Sequence, residues 1–201
     1  IGIFKKVSSN FKVFLVNSQS ESFSMYITTM QIDPKNPIVD ISYPSSYSKE
    51  LVDAIGLYYT LGMPEETDGY VDGKIDGNGF LAQINEIEAE RDKMFWKEFE
   101  NFKKQEIGVY AFVYDASDRV QHVFWEQKLL DDSLVKSGGK IKLNPAVEQY
   151  WMDKDKFLGE VLDRIDNDTL LMIISDHGFT SFEKAVSINT WFVKNGFMTK
   201  T

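Results

Sequence analysis

Two rhythms of apolar positions run along the chain. Residues 11 to 32, FKVFLVNSQSESFSMYITTMQI, place Phe, Val and Ile as two strands would, with NSQSES as the turn between them. The run DPKNP then breaks the pattern, because Pro34 and Pro37 cannot donate to a ladder. Residues 38 to 44 predict a short strand. A helix is expected next, with Ser45, Ser46 or Ser48 as N-cap and Leu51, Val52 and Ile55 on its buried face. Residues 62 to 79, GMPEETDGYVDGKIDGNG, read as a Gly/Asp-rich loop. From 79 to 104 the rhythm is helical, with Phe80, Leu81, Ile84, Ile87, Met94, Phe95, Phe99 and Phe102 recurring among Glu and Lys. That pattern predicts a helix packed along one side on a core.

The second half alternates. EIGVYAFVYDASD, 106 to 118, carries an apolar run of strand length that ends in acids. Residues 126 to 140 read as a polar loop, and 145 to 165 as a helix opened by Pro145. DNDT turns the chain into a strand at 169 to 175, and 187 to 196 predict a short helix closed by Gly196. Strand, helix, strand, helix implies an α/β fold with a mostly parallel sheet flanked by helices, its strands apolar on both faces. The first half reads as an N-terminal antiparallel β/helical accessory part, so the boundary falls between residues 1–105 and 106–201.

Composition narrows the function. The chain has 201 residues, 43% hydrophobic and 26% charged, enough apolar matter for a sizeable core. Its net charge of −9 disfavours a nucleic acid polymer as partner. A small anionic substrate held by a metal remains compatible with that charge. No cysteine is present, which removes disulfides and thiolate zinc sites. No apolar run is long enough to span a bilayer, and no signal peptide is visible. Because the chain opens at Ile1 rather than Met, a piece of a longer protein is expected, and localisation is not readable.

Only two histidines occur, His122 and His177, and each follows an apolar run with an Asp close by. Asp118 and His122 are four apart, which one helical turn would bring to one face. Asp176 and His177 are adjacent, and converge only in a sharp turn of the kind Gly178 permits. Singly, a DxxxH is usually a surface helix pair and a DHG a plain turn. Both lie beyond the carboxyl ends of predicted strands, where sites in α/β sheets form. Carboxylate with imidazole suits zinc, manganese or iron better than calcium.

Other features weigh less. Reading TDGYVDGKIDGNGF as a calcium loop puts Lys74 and Gln83 where acids are needed, so Asp76 or Asn78 is better taken as a helix cap. Ser175, Asp176 and His177 are consecutive, whereas hydrolase triads converge from separate elements. Tyr114, Phe124 and Trp125 read as core, and Arg119 as an ion pair with Asp118.

The stretches VYAFVYDASDRVQHVFW and TLLMIISDHGF, with SINTWFVKNG after them, resemble the alkaline phosphatase superfamily. More closely they resemble type I phosphodiesterases and nucleotide pyrophosphatases, which are akin to cofactor-independent phosphoglycerate mutase. The resemblance covers about residues 106 to 196. It implies two divalent metal ions, zinc or manganese, with Asp118 and His122 matching ligands of one and Asp176 and His177 those of the other. It also implies a metal-dependent phosphodiesterase or phosphohydrolase acting on small phosphate esters. The family's further Asp, its Thr, Ser or Cys nucleophile and a third His ligand have no match here, so the nucleophile is expected outside this chain. A degenerate, non-catalytic binding or structural module is the alternative.

Overall fold

The antiparallel pair expected near the start forms. Strand β2, Val13–Gln19, pairs with β3, Ser22–Ile27, in the register Val13↔Ile27, Phe14↔Tyr26 and Leu15↔Met25, with an irregularity before Asn17↔Ser24. A two-residue strand β1, Ser9–Asn10, pairs with β4, Gln31–Ile32. The computed structural model describes residues 7–19, 22–125, 144–180 and 184–199, so the loop expected at 126 to 140 lies outside the described residues. Alternation along β2 and β3 sends Val13, Leu15, Met25 and Ile27 to an exposed face, and turns Phe14 and Tyr26 inward.

Helix α1, Tyr47–Ile55, follows Ser46, one of the three expected caps, and buries Leu51. Residues 38 to 44 are bends rather than the expected strand. Pro37 and Pro44 flank them, and the Ser42 hydroxyl takes the Ser48 amide at 2.9 Å and donates to the Pro44 carbonyl at 2.9 Å. Local side-chain bonds of this kind compete with a ladder. The Gly/Asp-rich stretch also contains a short helix, α2, Thr67–Val71. Its Gly69 lies under Tyr26, where a Cβ would meet the Tyr26 hydroxyl at 2.8 Å. Tertiary contact, not helix propensity, makes that turn.

Helix α3, Gly77–Phe102, runs close to the expected span, and Asp76 caps it by accepting from the Gly79 amide at 2.7 Å. Phe80, Ile84, Ile87 and Phe99 form its buried stripe. Helix α4, Ala116–Phe124, is followed by α5, Pro145–Leu162, whose cap Asn144 accepts from the Ala146 amide at 2.9 Å. Helix α6, Ile188–Lys194, closes through Gly196 at φ 77°. The central core joins both halves of the sequence: Ile75, Phe80 and Ile84 pack with Ala116, Val120, Val147 and Tyr150.

The expected parallel sheet is not formed among the described residues. Residues 107 to 114 and 169 to 175 run without ladder partners, and the described strands form only two small antiparallel sheets. The first segment is covered on one face, not two. Tyr110, Phe112 and Tyr114 pack on Phe95 of α3, and Tyr114 also on Phe157 of α5. Val109 and Val113, pointing the other way, are 94% and 74% exposed. Leu170, Met172, Ile173 and Ile174 are exposed as well. The apolar runs carry strand composition, but a strand exists only where a neighbour supplies hydrogen bonds, and the described residues place none beside them. The structure is a mixed α/β arrangement of helices with small antiparallel sheets.

Candidate metal centre

The core sets which way α4 faces. Ala116 and Val120, four apart, are fully buried, so the opposite side of the helix carries Asp118 and His122 outward. His122 Nε2 lies 3.4 Å from Asp118 Oδ1. The predicted DxxxH face is therefore formed.

The second pair sits in a tight turn. The Ser175 hydroxyl donates to the His177 carbonyl at 2.6 Å, and the His177 amide donates to Asp176 Oδ1 at 3.1 Å. Ser175 is thus held by its own turn, away from any triad geometry. His177 Nδ1 lies 2.9 Å from the Gly178 carbonyl oxygen. A carbonyl only accepts, so Nδ1 carries the proton and the neutral ring keeps its lone pair on Nε2. That Nε2 is 3.6 Å from Asp176 Oδ2 and 3.9 Å from Asp118 Oδ1. The Gly178 carbonyl, then Asp176 and Asp118, push the His177 pKa up. Carboxylates that attract a proton to Nε2 attract a metal cation to the same place.

All four predicted residues are thereby brought to one corner of the molecule. Phe179, which sequence reasoning passed over, joins the two motifs: its ring stands edge-on to His122 at 4.9 Å and against Trp125 at 5.1 Å. Its position directly after DHG was the available signal. Tetrahedral zinc with bonds of about 2.0–2.1 Å holds its ligand atoms roughly 3.3 Å apart. The Asp118–His122 separation is close to that, and the contacts to His177 are slightly wider. The donor types fit a zinc or manganese ion, but the set is loose: no group of three or more such side chains among the described residues stands ready to enclose one.

Around Asp118 stands a half-buried group of charged side chains, in which the expected pair with Arg119 forms. Arg119 Nη1 is 3.7 Å from Asp118 Oδ2, its Nη2 meets Met63 Sδ, and its Nε is buried with no partner. Arg91 Nη2 is 3.6 Å from Asp115 Oδ2. Glu65 is 6% exposed, and neither carboxyl oxygen has a hydrogen-bond partner. In PEETD an acid reads as a solvated loop residue, so nothing marked it.

Burial, reinforced by Asp115, pushes the Glu65 carboxyl up to about 7. A raised folded-state pKa contributes stability that is complete below the unfolded value near 4.5 and is lost as pH rises through about 7. Glu65→Gln, neutral at every pH, is expected to leave stability at pH 4.5 unchanged and to raise it at pH 8 by up to ~3 kcal/mol. Urea unfolding of both proteins at the two pH values measures this, and equal midpoints at pH 8 would refute it.

The corner gathers carboxylate and imidazole donors of the types that divalent cations take. The sequence comparison is more specific: the family model of type I phosphodiesterase / nucleotide pyrophosphatase matches residues 24–200. The chain belongs to that family, which is consistent with the alkaline phosphatase superfamily. Comparison with curated proteins and with solved structures returns no match. No helix among the described residues is long and apolar enough to cross a membrane.

Proposed function

We propose that this chain supplies the metal-binding part of a phosphodiesterase or phosphohydrolase that acts on small phosphate esters. Residues 106–201 form the metal-binding part and 1–105 the accessory part. In a longer form, residues 107–114 and 169–175 would pair as strands of a mostly parallel sheet, as their apolar composition suggests. Asp118 and His122 hold one divalent cation, Asp176 and His177 a second, and the nucleophile is contributed from outside this chain. The observation that carries the reading is the approach of His122 and His177, 55 positions apart in sequence, to the same oxygen of Asp118 at 3.4 and 3.9 Å.

Bound cations supply charge neutralisation at the phosphoryl oxygens and lower the pKa of an attacking hydroxyl. The protein's own part is to hold their ligands. The Gly178 carbonyl fixes the tautomer of His177, so that Nε2 offers its lone pair. Buried Ala116 and Val120 fix the rotation of α4, and Phe179 keeps the two motifs together. A non-catalytic module that retains one cation is the second reading, favoured by the looseness of the donor set.

The test uses the chain's two imidazoles, whose NMR resonances are unambiguous because there are no others. Zinc added at millimolar concentration should shift both, with weak affinity, since two protein ligands leave a cation largely hydrated. Asp118→Ala should abolish the response of His122, and Asp176→Ala should weaken that of His177. Imidazole resonances indifferent to zinc would end the metal assignment.

A further inference from the structure

The hairpin of β2 and β3 is fastened to the body by one face. On that side Lys12 reaches α3, its Nζ 2.8 Å from Glu86 Oε1 and 3.3 Å from Glu90 Oε2, and stands over the Tyr59 ring at 4.2 Å. The Tyr26 hydroxyl donates to Glu66 at 2.7 Å, and the Thr29 amide donates to the same carboxylate at 3.0 Å. The Thr28 amide donates to the Lys12 carbonyl at 3.0 Å, which carries the pairing past the strand ends. The hairpin's placement and its ladder are thus settled without its other face.

That other face is apolar. Val13 stands opposite Ile27 and Leu15 opposite Met25, and alternation along β3 puts Phe23 on the same side. Phe11, two positions before Val13, is exposed with them, and all six are 49–68% exposed. Neither strand carries a charged residue. Antiparallel sheets that face water turn polar positions outward, and open edges are guarded by charge or proline. Here both safeguards are missing. The hairpin differs in this from residues 107 to 114 and 169 to 175, which lack ladder partners: its hydrogen bonds are made, and only a covering surface is wanted.

The size and charge of the face select its occupant. Half-bare side chains of this kind leave roughly 100 Å² each, so one copy offers roughly 600 Å² and two copies face to face bury roughly 1,200 Å², the lower bound of a standard interface. A foreign protein is selected by placed polar or charged groups, and the two strands bring no charge to this face. An anionic membrane needs basic residues around the apolar patch, and Lys12 is already neutralised by Glu86 and Glu90. A chain of net charge −9 repels its own copies over most of its surface, so a charge-free face is where they can meet. We propose that this face is the contact between two copies of the chain, with the hairpins stacked about a twofold axis and Leu15 and Met25 at the centre. A twofold axis requires only that the face complement itself, and sheets packed in this way lie about 10 Å apart. Because the area is at the lower bound, the dimer dissociates in the micromolar range or above.

Sedimentation equilibrium of the 201-residue chain, from micromolar to millimolar concentration, should show the average mass rising from one chain toward two. Leu15→Thr combined with Met25→Thr should raise the dissociation constant at least ~10-fold, as truncation of central contact residues does. Threonine suits a strand and pairs across it, and both side chains are exposed in the single copy, so the fold is retained; far-ultraviolet circular dichroism checks it. The location is read separately. The chain has no cysteine, so Met25→Cys and, at an exposed position just beyond α3, Lys104→Cys each introduce one thiol. Under a mild oxidant the first should give a disulfide-linked dimer and the second should not. A chain that stays single across the series, an association untouched by the double substitution, or equal cross-linking through Lys104→Cys would overturn the proposal. Binding of the unaltered chain, but not of the double variant, to phosphatidylcholine vesicles without self-association would overturn it too, and assign the face to lipid.

Discussion

Alone, the 201-residue chain is expected to hydrolyse an activated aryl phosphodiester no faster than the added metal does in buffer. Its donors are divided two and two, and the nucleophile is expected outside this chain. Ser175, next to Asp176 in sequence, donates at 2.6 Å to the carbonyl of His177. A longer form that brings an Asp, a Thr, Ser or Cys nucleophile and a further ligand to this corner should show chelator-sensitive turnover. In such a form, Asp176→Ala or His177→Ala should reduce turnover by at least ~100-fold. Outer partners of metal ligands already account for 10–100-fold, so loss of a ligand should reach or exceed the upper end. Asp176 has two parts to lose: its Oδ1 takes the His177 amide at 3.1 Å and its Oδ2 lies 3.6 Å from His177 Nε2. The assay compares initial rates with and without chelator. Turnover by the chain alone, or a chelator-insensitive rate in the longer form, would show these roles to be wrongly assigned.

The approach of the four candidate residues to one another was more legible than the sheet, for a physical reason. DxxxH and DHG are local: four-residue spacing and one turn fix most of their geometry, so Asp118, His122, Asp176 and His177 could be found without knowing what lies around them. The long helix was equally readable, because the stripe of Phe80, Ile84, Ile87 and Phe99 repeats at helical period and Asp76 caps it. A parallel sheet is non-local. The apolar runs of 107 to 114 and 169 to 175 carry strand composition, but composition does not supply a neighbour, and only one face of the first run is packed. Helix α2 was hidden for a related reason: Thr67–Val71 has Gly at its centre and is held by Tyr26 from a distant strand. The burial of Glu65 was hidden because packing decides it, here in a loop whose backbone Gln83 holds on both sides of it.

Phe80→Ala should be the most damaging single substitution in the described core, at about 3–5 kcal/mol. Phe80 is fully buried where α3, α4 and α5 meet, and its ring stands 5.8 Å from Tyr70 and 6.1 Å from Phe124. Truncation removes the ring's burial and two aromatic contacts together, and leaves a cavity that three separately anchored helices cannot close. Against a typical stability of roughly 5–15 kcal/mol, that is a large share. For a chain of this size, the melting temperature should fall by about 6–20 °C. The effect should reach the site as well. Ala116 and Val120 rest on the same cluster, and they set the rotation of α4 that presents Asp118 and His122. Phe80→Leu, which fills more of the volume, should cost distinctly less and keep the imidazole response to zinc. Urea unfolding of both variants measures the difference. A loss below about 1 kcal/mol in Phe80→Ala would mean that the site collapses freely around the gap, and that α4 is oriented by something other than this core.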